Sequence, residues 1–520
     1  VRPAYVNCLA HLRCHFARRL PHQFKSWIWN FAFSLPPQAK KNLPSRLAMK
    51  VLCLCPLVAL ACSLPVWGRI PDKTVESQVQ GAMVEGEADT VLFTANRVDE
   101  AGDIFLGEKF FSGFLDSRQR GKLFYWFFPA RTDAEKKPLV LWLTGGPGCS
   151  SEVALLSENG PFWVNNENAT LRLNEHSWTN DANMLYVDQP LNTGFSQAAF
   201  HIVVTEEGVA KDMRMFLSNF IEKFPEYKGR PFWMTGESYG GHYLPAIGAF
   251  LLKNPVENLN FQGVAIGNGW VDPAIQYNKY ADYAKSVGIV KGAGYAAVKA
   301  GFASCSLAIQ SLLWPLAMSM CNILTEGVIG RRNIYDVREK CEYPPLCYDE
   351  SGMIEFLNRK DVQDALGVSK PWEPCNYGVH MLLLGDYKTS TLHYVEDILA
   401  SGKSVLIYHG DQDFICNWMG GNAWVEALKW DQRETYLATE PSKWLVDEEE
   451  AGEIRSVGNL AFLRVYDAGH MVPMNQPRRG NVMLQQWLGG EIAPSTLAEK
   501  RAQEDAKEAE NFFEETVVEL

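Results

Sequence analysis

The stretch TGESYGGHY, Thr235 to Tyr243, sets one serine, Ser238, between glycines at minus two and plus two, with Glu237 immediately before it. A serine hydroxyl becomes a nucleophile only beside a general base, and that base needs an acceptor to fix its tautomer. FWMT before the serine reads as a strand and GHYLPAIGAFLLKN after it as a helix. Ser238 therefore falls on a strand-to-helix turn too tight for side chains at Gly236 and Gly240. In folds with such a turn the acid and then the histidine follow the serine along the chain, each on a loop after a strand. YHGDQDFICNW offers Asp411 and Asp413, and YDAGHMVP offers His470. His242, a turn into the helix, reads as a packing or capping residue, and His409, inside a strand run, as a hydrogen-bonded core residue. An oxyanion hole would combine the N–H of Tyr239 with one from a glycine-rich loop after an earlier strand. LTGGPGCSS, Leu143 to Ser151, is that loop; Gly145 and Gly146 let its backbone approach a ligand, and Gly146 is the favoured second donor.

These loops need buried strands to carry them. KPLVLWLTG, NMLYVDQP, RPFWMTGES, NFQGVAIGNG, KSVLIYHGDQD and LAFLRVYDAGH are continuous apolar runs closed by Gly, Asp or Pro, as strands covered on both faces are. EEGVAKDMRMFLSNFIEKF, between two of them, carries helical spacing. The expected class is α/β with a central, mostly parallel sheet, its ligands at the carboxyl ends of the strands. The chain from Leu92 to Ala130 reads as meandering strands that precede the first parallel run. From about Gly269 to Ser404 the rhythm breaks and cysteines concentrate; a structureless loop of that length is implausible, so this stretch is read as a disulfide-held insertion forming a lid or wall. The expected division is a core over 90–271 and 401–492, an insertion over 272–400, and a charged tail over 493–520.

A chain of 520 residues, 47% apolar and 12% aromatic, is globular and core-forming. Its net charge of -12 without a basic stripe offers nucleic acid no electrostatic footprint and fits work in mildly acidic surroundings. MKVLCLCPLVALACS, from Met49, has the layout of a secretory signal peptide over 49–62. Its apolar run is too short for a hydrocarbon core of about 30 Å, so no membrane span is expected after its removal. Residues 1–48 then read as a non-translated or disordered extension, and 63–89 as a linker or pro-segment. Of the 12 cysteines, five (Cys8, Cys14, Cys53, Cys55, Cys62) lie in or before that signal and seven follow it. An odd number in an oxidising compartment implies disulfides plus a thiol. No zinc-type spacing occurs, and neither a metal nor another cofactor is expected. Asn168-Ala-Thr170 is a glycosylation acceptor suited to a surface loop.

WLTGGPGCSS, ENGPF, YVDQP, GESYGGHYLP, IGNG, YDVREKCE, LCYD, DFICNW and AGHMVPMNQP, in this order from about Phe111 to Trp487, resemble the serine carboxypeptidases, and within them most of all the plant carboxypeptidases of the third type. The resemblance implies an α/β-hydrolase fold with a helical lid, Ser238 as nucleophile, Asp413 rather than Asp411 as acid, and His470 as base. It also gives Glu237 a partner, Glu158: two carboxyls in contact cannot both ionise cheaply, so one stays protonated at acidic pH and donates to the free carboxylate of a peptide C-terminus. Gly145 and Thr144 belong to the same subsite, Thr144 replacing the Asn of many members. Trp270 stands where a smaller residue often lines the pocket before the scissile bond, and Cys416 with Met471 matches the apolar wall for the leaving residue. The pairings implied are Cys149 with Cys375, Cys305 with Cys321 and Cys341 with Cys347, leaving Cys416 as the thiol.

The function so implied is removal of single, preferably hydrophobic, C-terminal residues from peptides and proteins at acidic pH through an acyl-enzyme, in the vacuole, the lysosome or the exterior. A monomer and a homodimer both fit. Acyl transfer from sugar esters is the enzymatic alternative, though relatives with that role often carry Asp before the serine. A protective partner of other secretory-pathway enzymes is the non-catalytic one.

Overall fold

Alternation along the buried strands builds two apolar layers. Leu139, Leu141 and Leu143 join one hydrophobic cluster while Val140 and Trp142 join the other. Val405 and Ile407 part from Leu406 and Tyr408 in the same way. A strand that feeds both clusters must have helices over both faces, which is why these runs read as continuous rather than alternating hydrophobicity. Each large apolar side chain so buried contributes roughly 1.5–3 kcal/mol. The computed structural model describes residues 94–95, 104–198, 202–311, 314–344 and 346–493, within a compact unit spanning Asp89–Leu520. The expected extension, signal peptide and linker lie outside the described residues, as does the tail beyond 493.

Eleven strands form one sheet: β1 (Thr94–Ala95), β2 (Phe111–Asp116), β3 (Lys122–Phe128), β4 (Leu139–Leu143), β7 (Asn183–Val187), β8 (Pro231–Glu237), β9 (Asn260–Gly267), β10 (Ser404–Gly410), β11 (Ser442–Val446), β12 (Glu449–Val457) and β13 (Leu460–Val465). Their order is β1-β2-β3-β7-β4-β8-β9-β10-β13-β12-β11. The six strands from β7 to β13 run parallel; the flanking ones are antiparallel. A separate hairpin, β5 (Phe162–Asn165) with β6 (Thr170–Leu173), carries exposed Asn168 at its turn. The large parallel-centred sheet with covering helices is that of an α/β-hydrolase.

Helix α1 (Glu152–Ser157) follows β4, α2 (Glu206–Lys223) precedes β8, and α3 (Gly240–Lys253) follows it. Between β9 and β10 the chain is helical: α4 (Pro273–Ser286), α5 (Ala293–Ile309), α6 (Trp314–Ile329), α7 (Ser351–Asn358), α8 (Lys360–Leu366), α9 (Tyr377–Leu383) and α10 (Leu392–Ala400). After β10 come α11 (Trp418–Ala427) and α12 (Arg433–Ala438), and after β13 come α13 (Val472–Asn475) and α14 (Pro477–Leu488). Disulfide Cys305–Cys321 joins α5 to α6, Cys341–Cys347 closes a short loop, and Cys149–Cys375 ties the glycine-rich loop after β4 to the segment before α9. The last spans 226 residues of sequence, so it restrains the insertion against the core.

The β11–β12 hairpin at the sheet edge is absent from the strands expected from sequence. SKWLVDEEEAGEIRSV is acidic and half exposed, and an edge strand with one wet face lacks the apolar run that marks the central ones.

Candidate active site

Ser238 sits between the last residue of β8 and the first turn of α3 with φ of 58°. That left-handed conformation costs a non-glycine residue of order 1–3 kcal/mol and persists only where its surroundings impose it. Here they do: its N–H donates to the Gly267 carbonyl at 3.0 Å, and its own carbonyl accepts from Trp270 at 2.8 Å and Gly241 at 2.9 Å. The glycines are demanded unequally. A Cβ at Gly236 would lie 2.2 Å from the Leu143 carbonyl oxygen, whereas one at Gly240 would lie 3.2 Å from it. Gly145 is packed almost as closely as Gly236: a Cβ there would meet the Tyr239 nitrogen at 2.3 Å. Gly145, expected to let the backbone approach a ligand, borders the cavity around Ser238 and packs against the backbone of the serine turn.

His470, in the turn between β13 and α13, is 4% exposed. Its Nδ1 lies 2.8 Å from Oδ2 of fully buried Asp413, and its backbone N–H donates to the Tyr335 carbonyl. Burial lowers its pKa, but the Asp413 carboxylate and then Glu237 outweigh this and leave it raised. Nε2 is buried with no hydrogen-bond partner among the described residues, and His470 and Ser238 both line one cavity. Asp411 lies elsewhere: it faces Arg464 at 3.6 Å and accepts from the Asp467 N–H. His409 bonds the Cys416 carbonyl, and burial lowers its pKa to about 4; His242 bonds the Trp270 carbonyl.

The N–H groups of Gly146 and Tyr239 find no acceptor among the described residues, and both residues border the cavity. Thr144 Oγ1 accepts from Trp142 Nε1 at 2.9 Å, which leaves its own proton free to be donated.

Two buried carboxyls interact here, Glu237, which precedes Ser238 and lines the cavity, and Glu158, which is not among the lining residues; they are 4% and 1% exposed. Each carboxyl shifts the other's ionisation, and no described donor reaches either Glu158 oxygen. Burial pushes the Glu158 carboxyl up to about 8, with neighbouring Glu237 working against it. Burial and the charge of Glu158 raise Glu237 well above the usual range. The pair holds a proton through the acidic range and ionises only against cost.

The cavity around Ser238, of about 420 Å³, is walled by Trp270, Tyr387, Ile415, Cys416 and Met471 among others. Trp270 is held by its Nε1 bond to the Tyr387 carbonyl. Cys416 is the free thiol among the described residues, and burial, then Asp413 and Glu237, raise its pKa well above the ordinary value. Asp413, Cys416 and His470 offer donor atoms within 4.8 Å of one another, but the first and last already engage each other.

Two contributors escaped sequence reasoning. Asn268, at the end of β9, donates from Nδ2 to Asp413 Oδ2 at 2.8 Å and accepts the Gly410 N–H at 3.1 Å. Tyr335, from the insertion, holds the His470 backbone and sets its ring 5.2 Å from the imidazole. IGNG and YDVREKCE contained both residues, but no spacing rule links them to Asp413 or His470.

The profile of the family described as serine carboxypeptidase matches residues 103–490. Serine carboxypeptidase 3 of Hordeum vulgare is 38% identical over 402 residues, covering 74% of this chain and 78% of that protein. Carboxypeptidase Y of Komagataella phaffii is 37% identical over 407 residues, covering 74% and 77%. Among solved structures, a prohormone-processing carboxypeptidase from Saccharomyces cerevisiae superposes with a TM-score of 0.66 at 25% identity, over 76% of this chain and 94% of that one. The serine on its strained turn and the acid–histidine pair thus lie within a match that runs through nearly all the described residues, and the chain belongs to the serine carboxypeptidase family.

Proposed function

We propose that the protein removes single, preferably hydrophobic, residues from the C-termini of peptides and proteins at acidic pH. Ser238 Oγ attacks the scissile carbonyl while His470 Nε2 takes its proton; Asp413 holds the Nδ1–H tautomer and stabilises the imidazolium. The N–H groups of Gly146 and Tyr239 receive the oxyanion. His470 then protonates the departing amine, and water enters by the same route to hydrolyse the acyl-enzyme.

The observation that carries the exopeptidase reading is the Glu158–Glu237 carboxyl pair adjoining the nucleophile. A pair holding one proton donates to a substrate carboxylate, with Thr144 Oγ1 and the Gly145 backbone beside it, and thereby fixes the scissile bond one residue from the chain end. The Cys416 and Met471 wall suits an apolar leaving side chain, and Trp270 narrows the pocket on the acyl side. Glu237 also speaks against sugar-ester acyl transfer, whose enzymes often carry Asp there. Three disulfides and a glycosylation acceptor support passage through the secretory pathway to a vacuole, lysosome or the exterior; among the described residues no helix is long and apolar enough to cross a membrane.

The test is mass spectrometry of a peptide and its C-terminal amide at pH 5. Stepwise loss of single residues from the free acid, with the amide resistant and Ser238→Ala inert and unlabelled by a fluorophosphonate, is expected. Internal cleavage, or equal cleavage of both forms, contradicts the proposal.

A further inference from the structure

A second cavity, of about 270 Å³, adjoins the one around Ser238. Val153, Tyr348, Glu350 and Met471 line both. The shared wall is taken as the leaving-residue side, since Met471, which lines both cavities, is the residue that the family resemblance places in the wall for the leaving residue. The second is therefore where a leaving side chain too long for the Cys416–Met471 wall would extend. Ser157, at the end of α1, borders this space with a small side chain whose hydroxyl is turned back onto the Val153 carbonyl at 2.6 Å.

One group on the shared wall has no work in the mechanism. Glu350 is half-buried, and no hydrogen bond or ion pair with another described residue engages its carboxyl. Burial and the neighbouring Asp349 charge push it up to about 7. Asp349 differs: its carboxylate accepts the Ser351 N–H at 3.0 Å and is held below the usual range. The one cation lining the second cavity, Arg172, is exposed and stacks on Trp163 at 4.1 Å, and it makes no ion pair with Glu350. An unpartnered carboxyl at the junction of two apolar-walled cavities lacks only a cation.

Resting on the carboxypeptidase reading, we propose that Glu350 receives the ammonium or guanidinium group of a C-terminal lysine or arginine, whose methylenes run along Val153 and Met471. Leucine-sized residues stop at the first wall and leave Glu350 neutral; basic residues reach it, and the arriving cation favours its ionised form. The enzyme thus accepts both apolar and basic leaving residues, with Glu350 as a specificity determinant for the second class alone.

The test compares N-blocked dipeptides ending in Leu, Lys or Arg on wild type, Glu350→Gln and Glu350→Asp. A charge-assisted bond lost from a partly desolvated site lowers kcat/KM for the Lys and Arg substrates roughly 10- to 100-fold in Glu350→Gln, chiefly through KM. Leu release should stay within about twofold, and Glu350→Asp should retain part of the basic activity. Unchanged Leu turnover shows that the variant is folded. Equal losses on all three substrates, no loss on the basic ones, or a wild type that releases Leu but neither Lys nor Arg overturns this inference and leaves the exopeptidase reading standing. A wild type that cleaves none of the three overturns both.

Discussion

Asn268 and His470 donate to the same oxygen of Asp413, Oδ2, each across 2.8 Å. The amide of Asn268 is anchored at its other end by the Gly410 N–H, so the carboxylate plane is fixed before the imidazole reaches it. Asp413 Oδ1 and Oδ2 are further held by the N–H groups of Ile415 and Cys416.

Asp413→Asn should therefore lower kcat by roughly three to four orders of magnitude, because an amide favours the wrong histidine tautomer. Asn268→Ala should lower it by about 10- to 100-fold, the worth of one hydrogen bond to a charged group. Asp411→Asn should cost only a few-fold, since Asp411 faces the partly exposed Arg464. Steady-state kinetics on one peptide rank the three; Asp411→Asn as the most damaged would put the acid in the wrong place.

Cys416 borders the cavity and lies within 4.8 Å of His470 and Asp413 donor atoms. Mercurials should titrate one thiol in the folded mature protein and inhibit by filling the leaving-residue pocket. Iodoacetamide should react slowly, because burial suppresses the thiolate. Cys416→Ser should remain active and lose mercurial sensitivity, and a serine variant as sensitive as wild type contradicts the assignment.

Glu158, raised to about 8, keeps a proton in the folded chain that it would give up near its ordinary value of 4.5 when unfolded. Between those values the native state binds more protons than the unfolded one, so stability falls as pH rises, by up to roughly 1.4 kcal/mol per pH unit for each such proton. Tm should fall from pH 5 to pH 8, and the slope should be shallower in Glu158→Gln. A parallel or steeper slope in the variant would show that the carboxyl is not held protonated.

The central strands were legible because burial on both faces writes them as unbroken apolar runs such as KPLVLWLTG, whereas the β11–β12 edge carries charges on its wet face and left no such trace. Ser238 and His470 were legible because backbone geometry demands glycines beside the first and a strand end before the second. The choice between Asp411 and Asp413, two residues apart on one loop, rested on family resemblance, as did Glu158, which stands 79 positions before Glu237. Asn268 could not be read at all, since its bond to Asp413 exists only through the parallel pairing of β9 with β10. Tyr335 is equally silent, coming from the insertion and acting through its carbonyl.

The central claim is that the Glu158–Glu237 pair reads the substrate's free carboxylate, and KM against pH tests it most directly. One peptide and its C-terminal amide are compared on wild type and on the Glu158→Gln, Glu237→Gln double variant. As pH rises and the pair ionises, a donor becomes a repeller. KM for the peptide should climb toward neutral pH before kcat changes, while KM for the amide stays nearly flat. In the double variant, whose side-chain amides donate at any pH, the climb should disappear. Parallel KM curves for peptide and amide on the wild-type enzyme would contradict the account.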